Sequence, residues 1–153
     1  MIVVSDTSVI TGLIQVEQAE LLRELYGAVL IPPAVFAELL RSHSDLPTFV
    51  EMRIVANLEF VSALEAELDL GEAQAIALAV EAGADLLLID EKLGRQIALR
   101  EGLRISGLMG VLVEAKRRGL LKSVRALVGR LEREVGFHIS KPVKEEAFRR
   151  SGE

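Results

Sequence analysis

Short apolar runs alternate along the chain with longer stretches of helical periodicity. Residues 86–89, Leu-Leu-Leu-Ile, are apolar on both faces, as a strand buried in a parallel sheet must be. Residues 2–5, 28–31 and 103–105 are further short, mainly apolar stretches that read as strands. In the segment before 86–89, Ala73, Ile76, Ala77 and Val80 fall at the i, i+3, i+4, i+7 spacing of a core-facing stripe. Gly83 follows where a left-handed C-terminal cap belongs. Helices are also expected over 7–14, 17–25, 91–100, 109–118 and 121–135, and after Pro32-Pro33, since proline suits a first helical turn. Residues 42–69 read poorly, with a loop at 42–47 and an edge strand at 53–55. From Phe137 onward a short strand and a terminal helix are expected, with 137–153 as a C-terminal extension of a single domain. Strands alternating with helices throughout predict an α/β fold, a parallel sheet with helices on both faces.

In such a fold a helix runs antiparallel to the strand that follows it. Its N-terminus therefore lies beside that strand's C-terminus, which brings Glu72 and Asp90 to one edge of the sheet. Asp6 ends the first strand, and Glu38 lies about a turn and a half into the helix after the second. All four acids thus fall at the carboxyl edge, where open α/β sheets bind ligands. Each has an ordinary structural explanation taken alone. Asp6 and Asp90 can be helix N-caps, Glu72 suits the helix dipole, and Glu38 can be a solvated face residue. Together they form an anionic cluster with few bases nearby, which raises its own pKa values unless a cation offsets it. Hard oxygen ligands select Mg²⁺ or Mn²⁺, and such sites activate water and stabilise a phosphodiester transition state.

Composition narrows the choices. The 153 residues favour one domain with a real core. With no Cys and two His, thiolate and His-rich metal sites are excluded, so any metal is held by oxygen. No apolar run approaches the length of a membrane span and the N-terminus lacks a basic signal-peptide start, so a soluble, cytoplasmic protein is expected. The net charge of −5 is unevenly spread. Residues 1–90 carry 3 Lys and Arg against 15 Asp and Glu, and residues 91–153 carry 15 against 8; the halves, −12 and +7, recover −5. An acidic half followed by a basic half suits a carboxylate site with a basic approach for a polyanion, although two solvated faces would give the same count.

Four motifs give a more specific reading: D-T-S at 6–8, V-F-A-E-L at 35–39, G-E-A-Q-A at 71–75 and L-L-I-D at 87–90. In this order they resemble the motif series of a PIN domain. G-V-L-V-E-A-K-R-R-G-L-L at 110–121 is similar to a prokaryotic PIN-like subgroup. The resemblance implies a three-layer α/β/α metal-dependent ribonuclease of the VapC type, the toxin of a toxin–antitoxin pair restrained by a cognate antitoxin protein. It implies that Asp6, Glu38, Glu72 and Asp90 are the catalytic, metal-binding acids, that Ser8 supports them through its hydroxyl, and that the cofactor is Mg²⁺ or Mn²⁺. Many members carry a further acid a few residues after the last strand's Asp. Here Lys92, Leu93 and Gly94 occupy that space, and Glu91 is expected to point elsewhere, so one metal is better supported than two.

Arg95, Lys116 and Arg117 are candidates for RNA phosphate contacts, although Lys116 and Arg117 also suit a helix C-terminus. The aliphatics Val111, Leu112, Leu120, Leu121, Leu127, Val128 and Leu131 exceed what a small sheet is expected to cover and suggest a homodimer through this surface or the first helices. Two rivals stand beside this reading. A catalytically silent PIN-like scaffold would carry the same pattern. A phospho-acceptor receiver domain needs paired acids after the first strand and a Lys after the last, where this chain has D-T-S and I-S-G.

Overall fold

The computed structural model describes residues 1–153. Five parallel strands, β1 (Val3–Ser5), β2 (Val29–Ile31), β3 (Val50–Met52), β4 (Leu86–Leu88) and β5 (Ile105–Ser106), lie in the order β3-β2-β1-β4-β5. Central β1 pairs Val4 with Leu30 on one side and with Leu87 on the other. Side chains alternate across the sheet. Val3, Val29, Ile31 and Leu88 face one apolar layer, and Val4, Leu30, Leu87 and Ile89 face the other. The first layer holds α1 (Thr7–Gln15), α2 (Glu20–Tyr26), α7 (Leu108–Arg117), α8 (Val124–Arg130), a π-helical turn (Leu131–Val135) and α9 (Lys141–Ser151). The second holds α4 (Leu58–Leu64), α5 (Leu70–Ala82) and α6 (Lys92–Arg100). Between α1 and α5 lies α3 (Pro33–Ser42). This is the expected three-layer α/β/α architecture. No helix is long and apolar enough to cross a membrane.

Helix α5 carries the most informative departure from simple periodicity. Val80, placed on the expected stripe, is 41% exposed, whereas Ala75, Leu78 and Ala79 are buried. The helix packs against α3, α4, α6 and the sheet at once, so small residues are needed nearly all round it. It ends as expected at Gly83, whose left-handed backbone (φ 62°, ψ 45°) carries its amide to the Ala79 and Val80 carbonyls.

Boundaries move where local chemistry outweighs the apolar pattern. The edge strand forms at Val50–Met52 rather than 53–55, in register with Val29–Ile31, and Val55 drops into the core instead. The unread segment contains α4, capped by Asn57 Oδ1 accepting from Phe60 N (3.1 Å). The helix expected over 121–135 starts at Val124, because Ser123 Oγ accepts from Ala126 N (3.0 Å), and its last turn is π-helical. No strand follows Phe137. Residues 136–140 lead directly into α9, which lies along α7 and α8. Helices α2 and α9 cover most of the aliphatics expected to be surplus: Val111, Leu112, Leu127, Val128 and Leu131 are buried within the chain, whereas Leu121 is half-buried and Leu120 exposed.

Candidate active site

Asp6 is fixed by the sheet itself. Its amide donates to the Leu88 carbonyl (2.9 Å), extending the β1–β4 ladder by one residue, and its Oδ1 accepts from Thr7 N (2.7 Å). The carboxylate sits at the mid-sheet carboxyl edge, only 7% exposed. Burial raises its pKa to about 6; the Thr7 amide offsets part of this, and the charges of Asp69, Glu38 and Asp90 add to it.

Glu72 sits on the first turn of α5 in a reciprocal capping box. Asp69 Oδ1 accepts from Glu72 N (2.8 Å), and Glu72 Oε1 accepts from Asp69 N (3.3 Å). Burial, then the charge of Asp69 and more weakly that of Asp6, push the Glu72 pKa up to about 7. Half-buried Glu38 comes in from α3, with Thr7 Oγ1 donating to its Oε2 (2.5 Å). Its other oxygen lies 2.6 Å from where a Cβ on residue 71 would stand, so a side chain there would push this carboxylate out of its present position.

Asp90 does not cap the helix that follows it. Glu91 holds that position without a side-chain bond, and the Asp90 carboxylate instead reaches the start of α7, where Leu108 N donates to both oxygens (3.1 and 3.2 Å). A Cβ on Gly107 would stand 2.1 Å from Asp90 Oδ1. Arg95 Nη1 donates to the Ile89 carbonyl (2.8 Å) beside it. One side of Asp90 is open to solvent; neighbouring protein still raises its pKa, against the Leu108 amide and the Arg95 charge.

The four acids line one cleft of about 500 Å³ together with Asp69, Glu91, Ser8, Thr7 and Phe137, and no Lys, Arg or His lines it. The cleft thus gathers six carboxylates and no compensating cation. Two of its acids were not anticipated. Asp69 was legible as the first residue of a D-x-x-E capping box, and Glu91 was expected to point elsewhere. The hydroxyl that engages an acid is that of Thr7, while Ser8 lines the cleft. Arg95 lies at the cleft's border through Asp90. Lys116 and Arg117 lie at the opposite end of α7, paired with Glu153 (3.0 Å) and Glu114 (3.0 Å).

This donor set suits a hard divalent cation. The raised pKa values of Asp6 and Glu72 come first from burial and then from the neighbouring carboxylates, with no cation in the cleft to offset either. In their present hydrogen bonds, however, no three Asp, Glu or His side chains are gathered closely enough to hold an ion.

No curated protein and no solved structure matches the chain. A family model described as a PIN domain matches residues 2–153, from β1 through the C-terminal helix. PIN domains have a nuclease-type fold, and the all-parallel five-stranded sheet with its acidic carboxyl edge agrees with that description. On this match over nearly its whole length, the chain belongs to the PIN-domain family.

Proposed function

We propose that the protein is a Mg²⁺- or Mn²⁺-dependent endoribonuclease. The observation that carries this reading is the cleft of six carboxylates without a cation at the carboxyl edge of the sheet. Asp6, Glu38, Glu72 and Asp90 would hold the ion, which when bound supplies charge stabilisation and an activated water at a phosphodiester. The chain's own residues set the rest of the arrangement. Thr7 orients Glu38, the Leu108 amide orients Asp90, and Ser8 offers a hydroxyl to the same space. Glu72 Oε1 is taken by the Asp69 amide, so Oε2 is the atom on which a proton can sit near neutral pH.

The substrate in this reading is single-stranded RNA, held by salt-dependent phosphate contacts from Arg95 at the cleft and from Lys116 and Arg117 where the strand wraps to the far edge. The biological setting is a cytoplasmic toxin with a cognate antitoxin protein. A homodimer would use the exposed aliphatics Leu40, Leu58 and Leu70 on α3, α4 and α5, since of the 111–131 set only Leu120 is exposed and Leu121 half-buried. The catalytically silent PIN-like scaffold has one observation in its favour, the spread of the acids in their current hydrogen bonds.

Incubation of a single-stranded RNA with the protein in Mg²⁺, in Mn²⁺ and in chelator separates the two. Metal-dependent cleavage that falls at least about a hundredfold in Asp6→Asn, with circular dichroism unchanged, is expected. A folded parent protein that binds RNA and never cleaves it would leave the scaffold reading. Replacing Lys116 and Arg117 together by Ala should lower the salt slope of RNA binding if they touch phosphate, and leave it unchanged if they serve only their ion pairs.

A further inference from the structure

Three cavities meet at Asp90, and their chemistries differ. One is the acidic cleft. A second, of about 310 Å³, is walled by Leu108, Met109, Phe137, Ile139 and Val143 and shares Ser8, Asp90 and Phe137 with the cleft. A third, of about 550 Å³, contains Arg95 and Arg150 and shares Asp90, Met109 and Val143 with the second. Acidic, apolar and arginine-bearing mixed-charge surfaces are therefore continuous through a single side chain.

Phe137 is the only Phe, Tyr or Trp lining any of the three. Its Cζ lies 3.1 Å from where a Cβ on Gly12 would stand, so glycine at that point of α1 lets the ring settle against the helix. The polar members of the apolar cavity sit beside the ring. Ser140 begins α9 without making a side-chain cap bond, and His138 is exposed. A purely apolar ligand would leave Asp90, Ser8 and His138 against hydrocarbon. A nucleobase has a π face for Phe137 and hydrogen-bonding edges for the polar groups, the combination by which single-stranded RNA is read. Beyond it the third cavity offers Arg95 and Arg150 for a phosphate; of the two carboxylates in that lining, Glu146 is already paired with Arg149 and Asp90 is the acid shared with the cleft.

We infer that this cavity binds one base of the RNA strand, stacked on Phe137, with Arg95 and Arg150 taking an adjacent phosphate. The identity of the strand rests on the ribonuclease reading; the pocket's affinity for a base does not. Adenosine and uridine 5′-monophosphates, with ribose 5-phosphate as the base-free control, are titrated in chelator while the His138 imidazole and Phe137 ring signals are followed by NMR. The monophosphates should shift both residues saturably, and ribose 5-phosphate should not. Phe137→Leu, which keeps an apolar group over Gly12, should weaken the nucleotides about tenfold, and Phe137→Tyr should restore them.

Equal shifts with ribose 5-phosphate would mean phosphate binding alone and overturn the inference. So would nucleotide binding unchanged in Phe137→Leu, or signals that ignore nucleotides and follow protein concentration, as they would with a second copy in the cavity. If the nucleotides bind as expected and RNA is never cleaved, the base pocket stands and the ribonuclease reading falls.

Discussion

Asp90 accepts from an amide 18 positions away, so holding the start of α7 and the proposed role as a metal ligand make different demands on the same two oxygens. Asn keeps one acceptor for Leu108 N and loses the charge. Asp90→Asn is therefore expected to melt within a few degrees of the parent and to lose most RNA cleavage; undiminished cleavage would reduce Asp90 to scaffold. Gly107→Ala asks the converse question. The backbone there is extended (φ −125°, ψ −169°), which any residue adopts, so the whole effect comes from a methyl placed 2.1 Å from Asp90 Oδ1. It should cost about 1–3 kcal/mol through overpacking and displace the carboxylate with its charge intact. Cleavage at the parent's rate in this variant would show that the position of Asp90 is immaterial.

At the scale of elements, α8 has only seven residues, and much of its anchoring comes from a carboxylate at the far end of α9. Glu153 accepts from Val124 N (2.6 Å), Arg125 N (3.1 Å), Ser123 Oγ (2.8 Å) and Lys116 Nζ (3.0 Å). Burial works to raise its pKa, and these four bonds overcome it and hold the value at about 2. A depressed acid stabilises the fold above its unfolded pKa and loses that contribution as pH falls toward the folded value. Glu153→Gln should thus cost about 1–2 kcal/mol at pH 6, and the gap between variant and parent should narrow by pH 3. A gap that stays constant in melts at the two pH values would show that charge is not what Glu153 supplies. This arrangement was invisible in the sequence, because nothing local joins Glu153 to Ser123. The same holds for the bonds of Thr7 to Glu38 and of Asp90 to Leu108, which exist only once the layers are packed. What could be read were features written within one element: apolar runs ending in Asp6 and Asp90, the small-residue α5, its Gly83 cap, and acids placed by helix direction. Helix α4 leaves little trace in the sequence because its apolar face amounts to little more than Val61, Leu64 and the part-buried Phe60, and α8 does not stand out from a longer helix because its limits are set by Ser123 and a π turn rather than by periodicity.

The whole molecule carries its charge conflict at one edge. Asp6 and Glu72 have pKa values of about 6 and about 7 in the fold, against 3.8 and 4.5 ordinarily. Between roughly pH 4 and 7 the folded protein therefore binds more protons than the unfolded chain, and stability from these groups falls as pH rises. Their contribution is fully present below about pH 4 and is lost by the time pH passes about 7, a window above that of Glu153. In chelator, denaturant unfolding should show the parent losing on the order of 1–3 kcal/mol between pH 4.5 and 7.5 relative to Asp6→Asn/Glu72→Gln, which lacks both titrating groups. A divalent cation competes with protons for the same oxygens, so Mn²⁺ should restore the parent's stability at pH 7.5, do little at pH 4.5, and leave the double variant unaffected at both. This ties the metal to the charge conflict without any catalytic assay. If the parent and the double variant unfold in parallel across this range, with and without Mn²⁺, the six carboxylates are a solvated acidic edge and not a cation site.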